Sequence, residues 1–270
     1  MESTNMETPW ATVRPIVMSS SPAVSASTHT STVSASIAEA ERVSPEALLK
    51  WDSAVEARKS KQSPNPAFFY EVGGGPMFDM GPYYITALVH LLGPVKEVSG
   101  VSTCAFEERI ATCKEQFGKL LPVSVPTHSS GTLVFHSGAI VTVTISFDVH
   151  SHGHSPIELY GREGSLKVPD PNTFGGTLEI WTPTTGEWRN QALSHPYSEN
   201  SRSIGAADMA YAILDDTRKR SHRSSGALAY HVLEVMHAFE KSSDLKKHVS
   251  VVSKPPQPEP LPLGLIKGRL

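Results

Sequence analysis

The chain has 270 residues, 39% of them hydrophobic, and its 24 basic against 27 acidic side chains leave a net charge of −3. That length supports a sizeable core, and the near-neutral balance excludes the dense basic stripe with which nucleic-acid binders displace counterions. Cys104 and Cys113 make neither a metal spacing nor a disulfide framework, and no apolar run reaches the roughly 18 residues of a membrane span; a reducing, cytoplasmic setting without membrane contact is expected.

Residues 1–43 are predicted to lack structure. Eleven of the eighteen residues 19–36 are Ser or Thr, and such a segment buries too little apolar surface to offset its ordering entropy. Ser44, Pro45 and Glu46 then supply an N-cap, a first-turn proline and an early acid, so 44–63 reads as a helix and linker. No glycine precedes Gly73, which excludes a glycine-rich phosphate loop from the first 72 residues. None of the nineteen glycines completes G-x-G-x-x-G or a P-loop.

The stretch 73–92, Gly-Gly-Gly-Pro-Met-Phe-Asp-Met-Gly-Pro-Tyr-Tyr-Ile-Thr-Ala-Leu-Val-His-Leu-Leu, joins a glycine run to an apolar helix that Gly93-Pro94 ends. Asp79 precedes Tyr83 by four residues, a spacing that stacks a carboxylate and a phenol on one helical face. Pro82 leaves two readings: a helix kinked at Gly81-Pro82, or one that begins there with Asp79 just outside as a cap. Of the neighbours Tyr83 and Tyr84, one must face inward.

Beyond residue 121 the period becomes that of strands. Val141, Val143, Ile145, Phe147 and Val149 alternate with Thr142, Thr144, Ser146 and Asp148, and Ser137-Gly138 suits a hairpin from 132–135. Further strands are read at 157–160, 165–168 and 178–182, helices at 204–219 and 226–241, and a last strand at 248–253. Prolines 255, 256, 258, 260 and 262 deny the tail, 255–270, regular structure. His150, His152 and His154 alternate, but Gly153 and Pro156 indicate a loop and no ligand set for a metal. The order implies an α+β domain over 64–254, a mostly antiparallel open sheet with helices packed on one face. Alternating Val and Ile on an open sheet face further predicts self-association, or pairing with a full-length homologue.

Several ordered motifs resemble the C-terminal domain of the Gfo/Idh/MocA oxidoreductases. They are the 73–95 stretch, Pro126-Thr127-His128, Ser146-Phe147-Asp148-Val149, the run from Ile157 to Gly164, Pro169-Asp170-Pro171-Asn172, the segment from Ile204 to Ala210, and Ser225-Gly226 through His231-Val232-Leu233-Glu234. The resemblance implies a substrate and oligomerisation domain that holds a sugar, inositol or dihydrodiol against NAD or NADP bound on a separate Rossmann domain. It makes Asp79 and Tyr83 the catalytic pair, Tyr83 standing where most members have a histidine, as in the dimeric dihydrodiol dehydrogenase branch. Arg202, Asn172 and His128 are the candidate substrate contacts; for Asn172 a turn role is equally open, and for His128 and His231 a strand edge and a helix–sheet seam. The 72 residues before Gly73 are too few for a Rossmann domain and contain no Glu-Lys-Pro, whose lysine would tune Tyr83 in the family. The cofactor site is therefore expected to be absent and the chain inactive alone: a truncated member, or one served by a partner chain.

Overall fold

The computed structural model describes residues 16–19, 65–149, 151–173, 175–195, 203–214 and 221–262. The helix and linker expected over 44–63, nearly all of the segment expected to be structureless, and Arg202 lie outside them.

Helix α1, Gly75–Leu92, organises the rest. It begins at Gly75 rather than at Pro82, so Asp79 lies inside it, one turn before Tyr83. Met77, Met80, Tyr84, Ile85, Leu88 and Leu92 recur three or four apart and are buried. Gly75 takes φ of 84°, and a Cβ there would stand 3.0 Å from the Pro126 carbonyl oxygen; the helix end is pressed against the loop that enters the sheet.

The larger sheet, among the described residues, has five strands: Ile16–Ser19 (β1), Val95–Thr103 (β2), His128–Phe135 (β5), Ile140–Ser146 (β6) and Val249–Ser250 (β11). Their order is β1-β6-β5-β2-β11, antiparallel except for β1, which runs parallel to β6. Ile16–Ser19 thus departs from the expectation for 1–43: Ile-Val-Met is a strand-forming triplet in an otherwise polar segment, and its backbone finds β6. The Ser137-Gly138 hairpin is as expected, with Gly138 at φ 87°. Strand β2 was not anticipated, because Glu97, Ser99, Gly100 and Ser102 blur its alternation.

One face of this sheet carries Val98, Leu133, Phe135, Val141, Val143 and Ile145, packed on α1 and on helix α3, Gly226–Leu245. Gly100 and Gly131 are cross-strand partners, and the Phe239 ring of α3 lies over them: a Cβ on Gly100 would sit 2.5 Å from it, and one on Gly131 2.2 Å from the Ser99 carbonyl oxygen. The opposite face is built of Ser99, Thr132 and Thr142 and of Ser130 bonded to Thr144 at 2.9 Å. The expected apolar open face is therefore corrected. The alternating Val and Ile are the covered residues, and the outward positions of β5 and β6 are largely hydroxyls.

Strands β7 (Ile157–Tyr160), β8 (Ser165–Val168), β9 (Leu178–Trp181) and β10 (Trp188–Gln191) make a second antiparallel sheet. Ile157, Leu159, Leu166 and Val168 join it to the main core. Glu108–Ile110 (β3) and Leu120–Pro122 (β4) form a ribbon beside a smaller core of Phe69, Tyr70, Ala111, Cys113, Leu121 and Phe147. Helix α2, Ile204–Leu214, buries only Asp208. The last strand is shorter than expected because the chain leaves β2 after Val251: Val251 N still donates to the Lys96 carbonyl of β2, at a bulge, while both Glu234 oxygens accept from the backbone N–H groups of Val252 and Ser253. The fold is α+β, mostly antiparallel, with α1 and α3 on one face.

Candidate functional site

The two adjacent tyrosines of α1 divide as their 100° separation requires. Tyr84 is buried, 1% exposed, and its hydroxyl donates to Asp170 Oδ1 at 3.1 Å. Burial, with the Asp170 charge and hydrogen bond adding to it, pushes the Tyr84 pKa well above its ordinary value and keeps the phenol neutral. The same Asp170 oxygen accepts the Asn172 N–H at 2.9 Å, an Asx turn. Asn172 thus lies in a turn that the Asp170 side chain makes on its backbone N–H, and the Tyr84–Asp170 bond ties that loop to α1.

Tyr83 points outward and is half-buried. With Pro82, Thr86, Ala87, His90 and Pro171 it lines a shallow hollow of about 360 Å³. Pro171 belongs to the loop that Tyr84 holds, so the inward tyrosine fixes one wall of the hollow its neighbour faces. Asp79 is half-buried one turn earlier on the same helix. His90 is held below its ordinary pKa, first by burial and then by the Arg223 guanidinium. Arg223 is itself committed: it pairs with Asp208 of α2 and donates to the Glu259 and Pro260 carbonyls.

The structure puts His128 elsewhere. Strand alternation sets it on the hydroxyl-rich face, away from α1 and α3, with its Nδ1 2.9 Å from Ser146 Oγ. Burial lowers its pKa and Asp148 partly opposes that. Beside it Asp148 accepts from Thr127 Oγ1 at 2.6 Å and pairs with Arg109, whose guanidinium, in a residue 1% exposed, lies over the Phe106 ring at 4.6 Å. Pro-Thr-His and Ser-Phe-Asp thus meet in one buried polar cluster that joins the ribbon to the sheet. His231 lies in the helix–sheet seam: it is fully buried, its Nε2 accepts the Val95 N–H at 3.0 Å, and its Nδ1 lies 2.7 Å from Ser253 Oγ.

Thr86 and His90 were missed in the sequence; their signal was the i+3 and i+7 spacing from Tyr83. Among the described residues no three His, Cys, Asp or Glu side chains are arranged to hold a metal, and no helix is long and apolar enough to cross a membrane.

A family model described as the GFO/IDH/MocA C-terminal domain matches residues 50–167, which include α1, Asp79 and Tyr83. The solved structure of levoglucosan dehydrogenase in complex with NADH and L-sorbose superposes with a TM-score of 0.55 at 21% identity, over 69% of this chain and 54% of that one. The fold is that of these oxidoreductases. Its apo form gives 0.56 at 20%, over 76% and 65%, and an aldose-aldose oxidoreductase from Caulobacter crescentus complexed with glycerol gives 0.52 at 18%, over 70% and 51%. The chain thus spans between half and two thirds of each of these oxidoreductase chains. No curated protein matches the sequence.

The glycine-rich end of α1 is not shaped to hold a dinucleotide. The one glycine-rich helix N-terminus, at 73–75, is filled by the chain itself: a Cβ on Gly74 would stand 2.5 Å from the Phe68 carbonyl oxygen and one on Gly75 3.0 Å from that of Pro126. Backbone oxygens there repel a pyrophosphate rather than receive it.

Proposed function

We propose that this chain is the substrate-side part of a GFO/IDH/MocA-type oxidoreductase acting at a secondary hydroxyl or carbonyl of a sugar or cyclic diol. The observation that carries this reading is Tyr83 lining a hollow on α1, within the stretch matched by the family model, with Asp79 one turn before it. Neighbours solved with NADH and L-sorbose, or with glycerol, support the substrate class.

In this reading the chain's own residues bind the substrate and handle one proton. The Tyr83 hydroxyl donates its proton to a carbonyl oxygen during reduction and takes one from the hydroxyl during oxidation. A phenol titrates near 10 when free, so it acts as an acid at neutral pH without assistance and as a base only beside a cation. Asp79, four residues earlier, orients the phenol or a substrate hydroxyl. The nicotinamide belongs on a separate polypeptide or on residues outside those described.

The test is ligand-observed NMR with levoglucosan, L-sorbose and glycerol at tens of millimolar. Saturation transfer to at least one, weakened in Tyr83→Phe, is expected. Transfer to none of them from the folded protein refutes the reading.

A second reading, a non-catalytic subunit that pairs with itself or a longer homologue, is favoured by α2, where Met209, Tyr211, Ile213 and Leu214 are 40% to 79% exposed. An eleven-residue helix is only ~16 Å long, too small alone for the about 800 Å² per partner of a stable interface. Light scattering on a sizing column decides it: a monomer at all concentrations counts against self-pairing.

A further inference from the structure

The outward stripe of α1 carries three groups of one kind. Tyr83, Thr86 and His90 follow one another at i, i+3 and i+7, all half-buried, all on the same hollow. None of the three side chains hydrogen-bonds to another described residue, although Tyr84, one position away, is fully engaged. Between them lie Pro82, Ala87 and Pro171, which offer only C–H surface.

Each of the three polar groups both donates and accepts. A phenol and an alcohol do so by nature, and an imidazole does so only when neutral. Burial and the nearby Arg223 hold His90 to that form at neutral pH. No carboxylate, lysine or arginine lines the hollow, and Arg223, whose charge reaches His90, points its bonds to Asp208 and two carbonyls outside the lining. A ring bearing several hydroxyls matches this surface, its C–H face on the prolines and alanine and its hydroxyls on the stripe. A phosphate or carboxylate would lose its hydration with no cation in the lining to replace it. At about 360 Å³ the space lies at the low end of the roughly 300–1,000 Å³ of small-molecule sites, which limits the occupant to a single ring.

We infer that Thr86 and His90 are the specificity-determining residues of the Tyr83 hollow, selecting a neutral, unphosphorylated monosaccharide or cyclic polyol and rejecting its charged analogues. This rests on the reading of the hollow as a sugar site.

The experiment compares levoglucosan, glucose 6-phosphate and glucuronate by ligand-observed NMR titration against the intact chain and its Thr86→Val, Thr86→Ser and His90→Leu variants, each checked for folding by circular dichroism. The His90 change spares the backbone bond from Gln257 Nε2 to the His90 carbonyl. Levoglucosan is expected to bind, with affinity reduced about tenfold by Thr86→Val and by His90→Leu and restored by Thr86→Ser, while both charged sugars bind at least tenfold more weakly. If levoglucosan binding responds to Tyr83→Phe but is unchanged in the Thr86 and His90 variants, or if a charged sugar binds as well, the inference is overturned and the functional reading stands. If no sugar binds the folded chain, the functional reading itself falls and the inference with it.

Discussion

At the scale of single residues, two neighbouring phenols take opposite tasks. Tyr84 is structural, and Tyr84→Phe, which keeps the ring and leaves Asp170 the Asn172 amide, should cost about 1 kcal/mol. A fall in thermal midpoint without loss of the α-helical signal would confirm it; an unchanged midpoint would show the Asp170 bond to be idle. The sequence disclosed that one of the pair had to face inward, and helix periodicity decided which. It did not disclose Asp170, because a contact across 86 residues leaves no local trace. His231 makes a second residue-scale prediction. Its folded pKa lies below the ordinary value near 6.5, chiefly through burial, as does that of His128. The unfolded chain therefore binds more protons as pH drops below that value, so stability is full above about pH 6.5 and declines as pH falls through the depressed folded pKa values. Urea midpoints measured from pH 7.5 to 5.5 should decrease; a rise on acidification would contradict the buried neutral imidazole.

At the scale of elements, the strongly periodic pieces were legible: α1, the β5–β6 hairpin and α3 lie where apolar spacing set them. Strand β2 was not, and the reason is physical. Its Gly100 sits in a strand because Phe239 needs the space that a side chain would fill, a tertiary demand that overrides strand propensity. Gly131, its partner, is tighter still. Gly131→Ala should destabilise by about 1–3 kcal/mol or more, since backbone, rather than a yielding side chain, stands in the way; Phe239→Leu should relieve only the part due to the ring. A Gly131→Ala protein of native stability, measured by denaturant unfolding, would mean that the two strands part more easily than this packing implies. Within the site, Pro82 hid the continuity of α1, because a missing N–H at one position reads as a boundary although the flanking turns carry the helix across it.

At the scale of the whole molecule, the chain offers a helix with a hollow on its outward stripe and a closed glycine end, and it spans 54% of the length of a neighbour solved with NADH. Fluorescence titration with NADH and NADPH should accordingly show no micromolar binding, and saturable binding in that range would place a dinucleotide site in residues outside those described. The proline-rich tail taught a different lesson. Over its described residues, 255–262, it lacks regular structure as composition implied, yet it is fastened through Gln257 to the His90 carbonyl and through Arg223 to residues 259 and 260, by side chains whose partners no spacing rule reveals.

The His231 imidazole spans most of the domain's sequence. Its Nε2 accepts the first amide of β2, which leaves the proton on Nδ1 to donate to the Ser253 hydroxyl oxygen, while Glu234 one turn later accepts the amides of Val252 and Ser253. On a ribosome, β2 emerges long before either α3 or residue 253 exists. Its edge therefore waits, and the domain can close only after residue 253 has emerged, which makes the arrival of α3 and the strand behind it, rather than the early sheet, the moment at which this domain commits to its fold.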